Sequence, residues 1–269
     1  MTILACRNQA LESHHAFECG ETLAEKWNLI NIEKLESQDK LTVSHHQLCY
    51  RIISKKSMDF WKENFDNLRS NKNQRGSNGE KFLPQDYKSF YSLVSHEGLT
   101  PETIINIMLV SARVQIHQMI ETGYITNQST DINLMMRVII HTLLIMRYNT
   151  HAIIESHIIN PRKPTFVDVR SIGCGAYPSL CLLNTSCDQN ITKYHNDNVV
   201  VGLASKIIRA GEEVSDNYFP SAAYMPRDQR RDWLSQHFMF YCQCVACDQD
   251  MPLLVDMPKL AIRYLFSNY

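Results

Sequence analysis

Apolar positions recur at helical spacing in two long stretches of the chain. In the first, Thr100-Pro101-Glu102 supplies an N-cap, a first-turn proline and an early carboxylate. Ile104, Ile107, Met108, Ser111 and Val114 follow near the helical period, so the pattern predicts a helix running to about Glu121. The second stretch runs from about Asp131 to Tyr148, with Leu134, Met135, Val138, Ile139, Leu143 and Met146 on a broad apolar face. These two helices are expected to pack together. Thr122-Gly123-Tyr124 and Thr126 to Thr130 form a polar break between them, and Asn71 to Gly79 reads as a solvated loop. Beyond Pro161 and Pro164 the period shortens to β-rich runs at Tyr177 to Leu183, Asn190 to His195 and Val199 to Ile208, with Asn196-Asp197 as a hairpin turn. Gly173-Cys174-Gly175 reads as the entry to the Tyr177 strand. Near the end, Arg227, Arg230 and Arg231 are expected on a solvated helix face, with Trp233, Leu234 and Phe238 turned inward. His14-His15 and His45-His46 are expected on solvated or core faces without chemistry.

Composition adds few constraints. The 269 residues are 44% hydrophobic and 20% charged, enough for one large domain or two small ones. A formal net charge of -1 provides no global attraction to nucleic acid or an anionic membrane, and the arginine run is too local to change that. The longest apolar runs, such as Ile104 to Val110 and Val138 to Met146, are shorter than the roughly 20 residues a membrane helix needs. The first residues have no secretory pattern. The expected location is therefore the cytoplasm or nucleus, where nine cysteines are better read as metal ligands and buried thiols than as disulfides.

The strongest chemical signal is Cys242-Gln243-Cys244-Val245-Ala246-Cys247, three thiols within six residues. Zinc takes four thiolate or imidazole ligands in a tetrahedron, and a tight turn can present three of them. Cys174, Cys181, Cys187 or His237 could supply the fourth, and spacing does not choose among them.

Longer motifs surround that turn. Tyr177 to Asn190, containing Asn184-Thr185-Ser186-Cys187-Asp188-Gln189-Asn190, resembles the first SET signature of the SET-and-MYND (SMYD) family, Asn-His-Ser-Cys-x-Pro-Asn. Gly211-Glu212-Glu213-Val214-Ser215-Asp216-Asn217-Tyr218 resembles the second signature, and Phe238-Met239-Phe240-Tyr241-Cys242-Gln243-Cys244 the post-SET entry. Tyr148-Asn149-Thr150-His151-Ala152-Ile153 is similar to the segment that precedes the core in that family. The resemblance implies that Cys187 completes a zinc site with Cys242, Cys244 and Cys247. It implies an α+β fold: SET-type small antiparallel β-sheets, a large helical insert, a zinc-binding post-SET tail, and the Asn184 and Tyr218 segments threaded together. It further implies S-adenosylmethionine held by Asn149, Asn184, Thr185, Tyr218 and Phe240. A substrate channel would be lined by His151, Tyr218 and Phe238, with Tyr218 as the catalytic residue, although His151 reads from its own surroundings as a buried structural histidine at a helix end.

The start of the chain resembles the second half of a MYND finger, retaining Cys6, His15 and Cys19, an incomplete ligand set that is better read as a helix-like remnant with buried thiols. The resulting division is residues 1–20 a partial finger, 21–165 helical insert, 166–220 SET core, 221–250 post-SET zinc segment and 251–269 the start of a C-terminal helical region. In the family, glycine-rich first strands precede the finger, so the resemblance implies an N-terminally truncated member. Three positions depart from the family pattern: Thr185 stands for histidine, Gln189 for proline, and Phe238 for a channel tyrosine. Two functions follow as expectations: a protein-lysine methyltransferase acting on a protein substrate, or a noncatalytic zinc-stabilised module that binds a protein partner. Neither involves a membrane or, on this charge pattern, nucleic acid.

Overall fold

A computed structural model describes residues 37–70, 86–158, 167–196, 199–219 and 221–257. The chain separates into two compact units at Pro178/Ser179, each described here by itself.

The first unit is helical with one β-hairpin. Helices α1 (Ser37–Ser54), α2 (Met58–Ser70), α3 (Tyr87–Tyr91), α4 (Glu102–Glu121) and α5 (Ser129–Asn149) precede strands β1 (Thr150–Ile158) and β2 (Val167–Ala176). Its core joins Cys49, Tyr50 and Ile53 of α1, Trp61 and Phe65 of α2, and Met135 to Met146 of α5. Several polar groups trapped there are paired, which offsets the cost of burying them. The Trp61 indole N–H donates to the Ile53 carbonyl and the Tyr124 hydroxyl, at 3.2 and 3.0 Å, while Tyr91 and Thr142 share a hydroxyl bond of 2.6 Å.

Helices α4 and α5 pack together as the apolar spacing predicts. Their details differ from expectation. On α4, Ile107, Val110 and Val114 face outward, and Met108, Ala112, Ile116 and Met119 form the packed stripe. The correct stripe includes Gln115, which is fully buried, so polarity alone misassigned the face. Pro101 occupies the cap position, and the Thr100 hydroxyl instead meets the His96 carbonyl and Tyr148. Helix α5 is long and apolar enough to cross a membrane, although the apolar run read within it was shorter; 56% of that window is buried within the protein, as in a core helix.

The β1–β2 hairpin was not legible in the sequence. Thr150 is already extended and pairs with Ala176, so His151 lies in a strand rather than at a helix end. Gly173, Cys174 and Gly175 lie inside β2, and a bulge displaces Ile172 where the register shifts between Ile153 and Ile154.

In the second unit, the strand expected over Tyr177 to Leu183 is absent. Pro178 lacks an N–H and holds φ near helical values, and the chain turns through a 3₁₀ segment, Leu180–Leu182. Only β3 (Asn184–Thr185) remains extended. Strands β4 (Ile191–Asn196) and β5 (Val199–Ala204) pair antiparallel as the predicted hairpin, with Asn196 opposite Val199; Asp197 of the expected turn lies outside the described residues. β5 ends at Ala204 rather than Ile208. β6 (Ser215–Asp216) pairs with β3 in parallel, so the small sheets are not all antiparallel. Helix α6 (Arg227–Phe238) and the short α7 (Val245–Asp248) complete the unit. Among the described residues the architecture is mixed, with helices and three two-stranded sheets.

Candidate functional site

The cysteine turn is shaped by α6. Met239 adopts a left-handed conformation with φ 60°, stopping the helix and redirecting the chain toward Cys242. Cys244 then caps α7, whose first turn carries Cys247 back: the amides of Cys247 and Asp248 both donate to the Cys244 carbonyl, at 2.8 and 2.9 Å. Cys187 arrives from the β3 side with its backbone fixed, since its carbonyl accepts from the Ala222 amide at 2.8 Å.

The four sulfurs of Cys187, Cys242, Cys244 and Cys247 all lie within 4.8 Å of one another. Cys187 Sγ is 4.0 Å from Cys242 Sγ and 3.6 Å from Cys247 Sγ. A zinc tetrahedron with bonds of about 2.3 Å has edges of about 3.8 Å, so the donor type, number and spacing fit a structural zinc ion. The Cys187 amide points at Cys244 Sγ, 3.4 Å away, as expected of a donor serving a thiolate. Without a cation, four such thiols cannot all ionise. Contacts with Cys242 and Cys244, together with burial, drive the Cys187 thiol up. Hydrogen bonds from Cys187 and Cys242 pull the Cys244 thiol the other way, downward. A divalent ion would reverse this competition by favouring all four thiolates.

Among the described residues, this is the only group of side chains placed to share an ion in this way. Cys181 is not part of it, and Cys174 belongs to β2 of the first unit. His237 is engaged elsewhere, stacked on Trp233 at 4.1 Å with its Nδ1 2.8 Å from the Trp233 carbonyl. Cys6, His15 and Cys19 lie outside the described residues.

α6 contributes more than the sequence disclosed. Arg230 and Arg231, expected on a solvated face, turn onto the cysteine turn. Arg230 is 0% exposed and donates to the Ala246 carbonyl at 3.2 Å and to Cys247 Sγ at 3.6 Å. The Arg231 Nε donates to the Cys242 carbonyl at 3.0 Å. Spacing around the helix could not reveal this, because the sulfur turn that receives them lies beyond its end.

Beside the sulfurs runs a seam between the two signature segments. Asn190 fastens it: its Nδ2 donates to the Glu213 carbonyl, and its Oδ1 accepts from the Ser215 amide, both at 2.8 Å. The Ser186 amide donates to the Asp216 carbonyl, also at 2.8 Å. Asp216 itself is 1% exposed and pairs with Lys193 at 2.8 Å. Neither Asn190 nor the Lys193–Asp216 pair was singled out from sequence; a charged residue two places before Tyr218, inside a strand-like run, was the available signal.

Tyr218 lies on this seam. Its amide donates to Thr185 Oγ1 at 3.0 Å, and its hydroxyl donates to the Leu183 carbonyl at 2.7 Å. Its ring meets Phe238 with centroids 5.0 Å apart. Tyr218, Phe238 and Phe240 all pack against the cluster that contains the buried cysteines. Asn184 is exposed, and its carboxamide donates to Glu213 at 2.6 Å. Thus Asn184, Thr185, Tyr218, Phe238 and Phe240 belong to the second unit. Asn149 and His151 belong to the first, where the Asn149 amide donates to the Val94 and Ile145 carbonyls and His151 lies 6.2 Å from the Tyr177 ring.

No protein-family model matches the chain. Comparison with curated proteins does find relatives. A SET and MYND domain-containing protein of Dictyostelium discoideum is 34% identical over 89 residues, 33% of this chain and 16% of that protein. The histone-lysine N-methyltransferase SMYD3 of Mus musculus is 34% identical over 90 residues, 32% of this chain and 21% of the relative. The human protein-lysine N-methyltransferase SMYD4 is 27% identical over 119 residues, 44% of this chain and 15% of the relative. The matches therefore span less than a quarter of these relatives' own length. Over about a third of its length, this chain is similar to the SET and MYND domain proteins, among them protein-lysine methyltransferases.

Proposed function

We propose that the second unit is a SET-type segment of an S-adenosylmethionine-dependent protein-lysine methyltransferase, with zinc at Cys187, Cys242, Cys244 and Cys247. The observation that carries this reading is the convergence of Cys187 with the tail cysteines while Tyr218 and Phe238 stand ring to ring against the same cluster. Relatives whose names state lysine methylation support it.

The residues present fit one side of a cofactor site. Asn184 offers an exposed carboxamide whose only carboxylate partner is also exposed, so a polar ligand could replace that partner at little cost. Phe240 offers a half-buried ring. When bound, S-adenosylmethionine supplies an electrophilic methyl group on a positive sulfur. Tyr218 and Phe238 then act as apolar walls that strip water from the incoming lysine and lower its pKa toward the neutral amine. The Leu183 carbonyl aligns the Tyr218 hydroxyl proton, leaving the oxygen lone pairs to accept from the amine. Phe238 offers no second hydroxyl, so amine orientation would fall to Tyr218. The family resemblance alone assigns Asn149 to the cofactor and His151 to the channel.

A second reading is a noncatalytic, zinc-stabilised module that binds a protein partner. It is favoured by the internal satisfaction of the same polar groups: the Tyr218 hydroxyl on Leu183, the Thr185 hydroxyl on Tyr218, and the Asn184 amide on Glu213.

Calorimetric titration of the zinc-loaded chain with S-adenosylmethionine, repeated with Asn184→Ala, separates them. The methyltransferase reading predicts saturable binding that weakens about tenfold in the variant, the scale of one lost hydrogen bond to a charged ligand. Undetectable binding by this chain and by a version extended at its N-terminus would favour the interaction module.

A further inference from the structure

We propose that Arg230 is the fixed counter-charge of the four-sulfur centre, a positioning residue that sets how tightly the metal is held. The proposal rests on the zinc reading above and extends it to a residue outside the ligand set. A guanidinium removed entirely from water is costly unless an anion compensates it. The other arginines of α6 have carboxylates: Arg227 meets Asp228 and Asp250, and Arg231 meets Asp248. Among the described residues, no carboxylate lies within ion-pair distance of Arg230. Its terminal nitrogens donate to the Met225 and Ala246 carbonyls and to Cys247 Sγ, while Nε has no hydrogen-bond partner among the described residues. The compensating anion is therefore sulfur.

The metal centre has the complementary need. Four thiolates around one divalent cation carry a net charge of about -2 in a buried place, and each N–H aimed at sulfur lowers that burden. Among the described residues, Arg230 contributes the only full positive charge that donates to one of these sulfurs, and the Cys187 amide assists at Cys244. Arg231 grips the same turn through the Cys242 carbonyl, with its guanidinium over the Tyr241 ring at 4.5 Å. Metal loss would return protons to sulfur and strand the buried Arg230 charge, so ion and helix should be released together.

The test uses the full chain loaded with zinc, and a chelator competition reads its affinity for Arg230→Met, Arg230→Lys and Leu234→Ala. Leu234 is a buried residue of α6 that packs in the same cluster as the cysteines but has no N–H to offer sulfur, and serves as the packing control. Arg230→Met is expected to hold zinc about thirtyfold more weakly and Arg230→Lys to fall between it and the parent. Leu234→Ala should stay within about threefold of the parent while melting earlier. With cobalt(II) in place of zinc, the sulfur-to-metal charge-transfer band should shift in both arginine variants and remain in place in Leu234→Ala. If Arg230→Met does not fold, Arg230→Lys alone carries the comparison, because it keeps the charge and loses the fork. Parent-like zinc affinity with an unshifted band in the arginine variants would overturn the proposal, as would equal loss in Leu234→Ala. A parent chain that binds neither zinc nor cobalt would instead overturn the metal reading on which it rests.

Discussion

Asn190 and Asp216 join the two signature segments more firmly than their appearance in the sequence announces. One Asn190 carboxamide occupies both a carbonyl and an amide of the opposite segment. Replacing it with alanine leaves both unpaired, so the second unit should lose about 2 kcal/mol in denaturant unfolding. A loss below about 0.5 kcal/mol would mean that the seam holds without it. Lys193→Met is more severe, because it leaves the carboxylate at Asp216 buried and uncompensated, at a cost of about 3 kcal/mol. The double change Lys193→Met with Asp216→Asn should recover part of that loss; no recovery would deny the coupling. At this scale the sequence was legible where a residue's chemistry is rare. Three cysteines in six residues announced a ligand turn, and the resemblance pointed to Cys187 where spacing left four candidates. Arg230 and Arg231 were misread because helix-surface arguments place arginines in water unless a distant acceptor is known.

Among the elements, α4 and α5 were legible because long apolar periodicity survives local uncertainty. Hairpin β1–β2 was not, because its residues alternate weakly and the α5 pattern runs into Thr150 without a break until the backbone extends there. α1 packs against both α4 and α5, and that contact confines two histidines. His45 meets the Thr150 hydroxyl at 2.9 Å, and His46 meets Ser111 at 2.7 Å. Burial lowers the pKa of both rings from 6.5 to about 4, helped at His45 by the Arg147 charge and opposed at His46 by a bond to Gln118. The unfolded chain therefore binds protons near pH 6.5 that the folded unit refuses. Their contribution to stability is present above about pH 6.5 and is lost as the pH falls toward 4. At pH 5 the loss is about 2 kcal/mol for each ring. Unfolding the chain across this interval, beside a His45→Gln, His46→Gln variant with a flatter profile, checks the effect; identical profiles would contradict it. Trp61→Ala should destabilise the first unit by about 4 kcal/mol, since it empties a fully buried ring site and removes the indole N–H that donates to Ile53 and Tyr124.

For the whole molecule, the α+β class was legible, whereas the parallel β3–β6 pair was not: two residues of strand carry no period from which to infer direction. The two units have different supports. The first is held by an aromatic and aliphatic core, and the second by short strands gathered around the sulfur cluster. A unit with so small an apolar core depends on its staple, so chelation should unfold the second unit and leave the helical signal of the first largely intact. Loss of both signals together would contradict that separation. The central claim is that one ion ties Cys187 to Cys242, Cys244 and Cys247. Zinc-edge X-ray absorption on the purified chain tests it most directly, with Cys187→Ser beside it. The account predicts one zinc per chain bound by four sulfurs at about 2.3 Å, falling to three in the variant; a zinc-free chain, or an unchanged sulfur shell in Cys187→Ser, would contradict it.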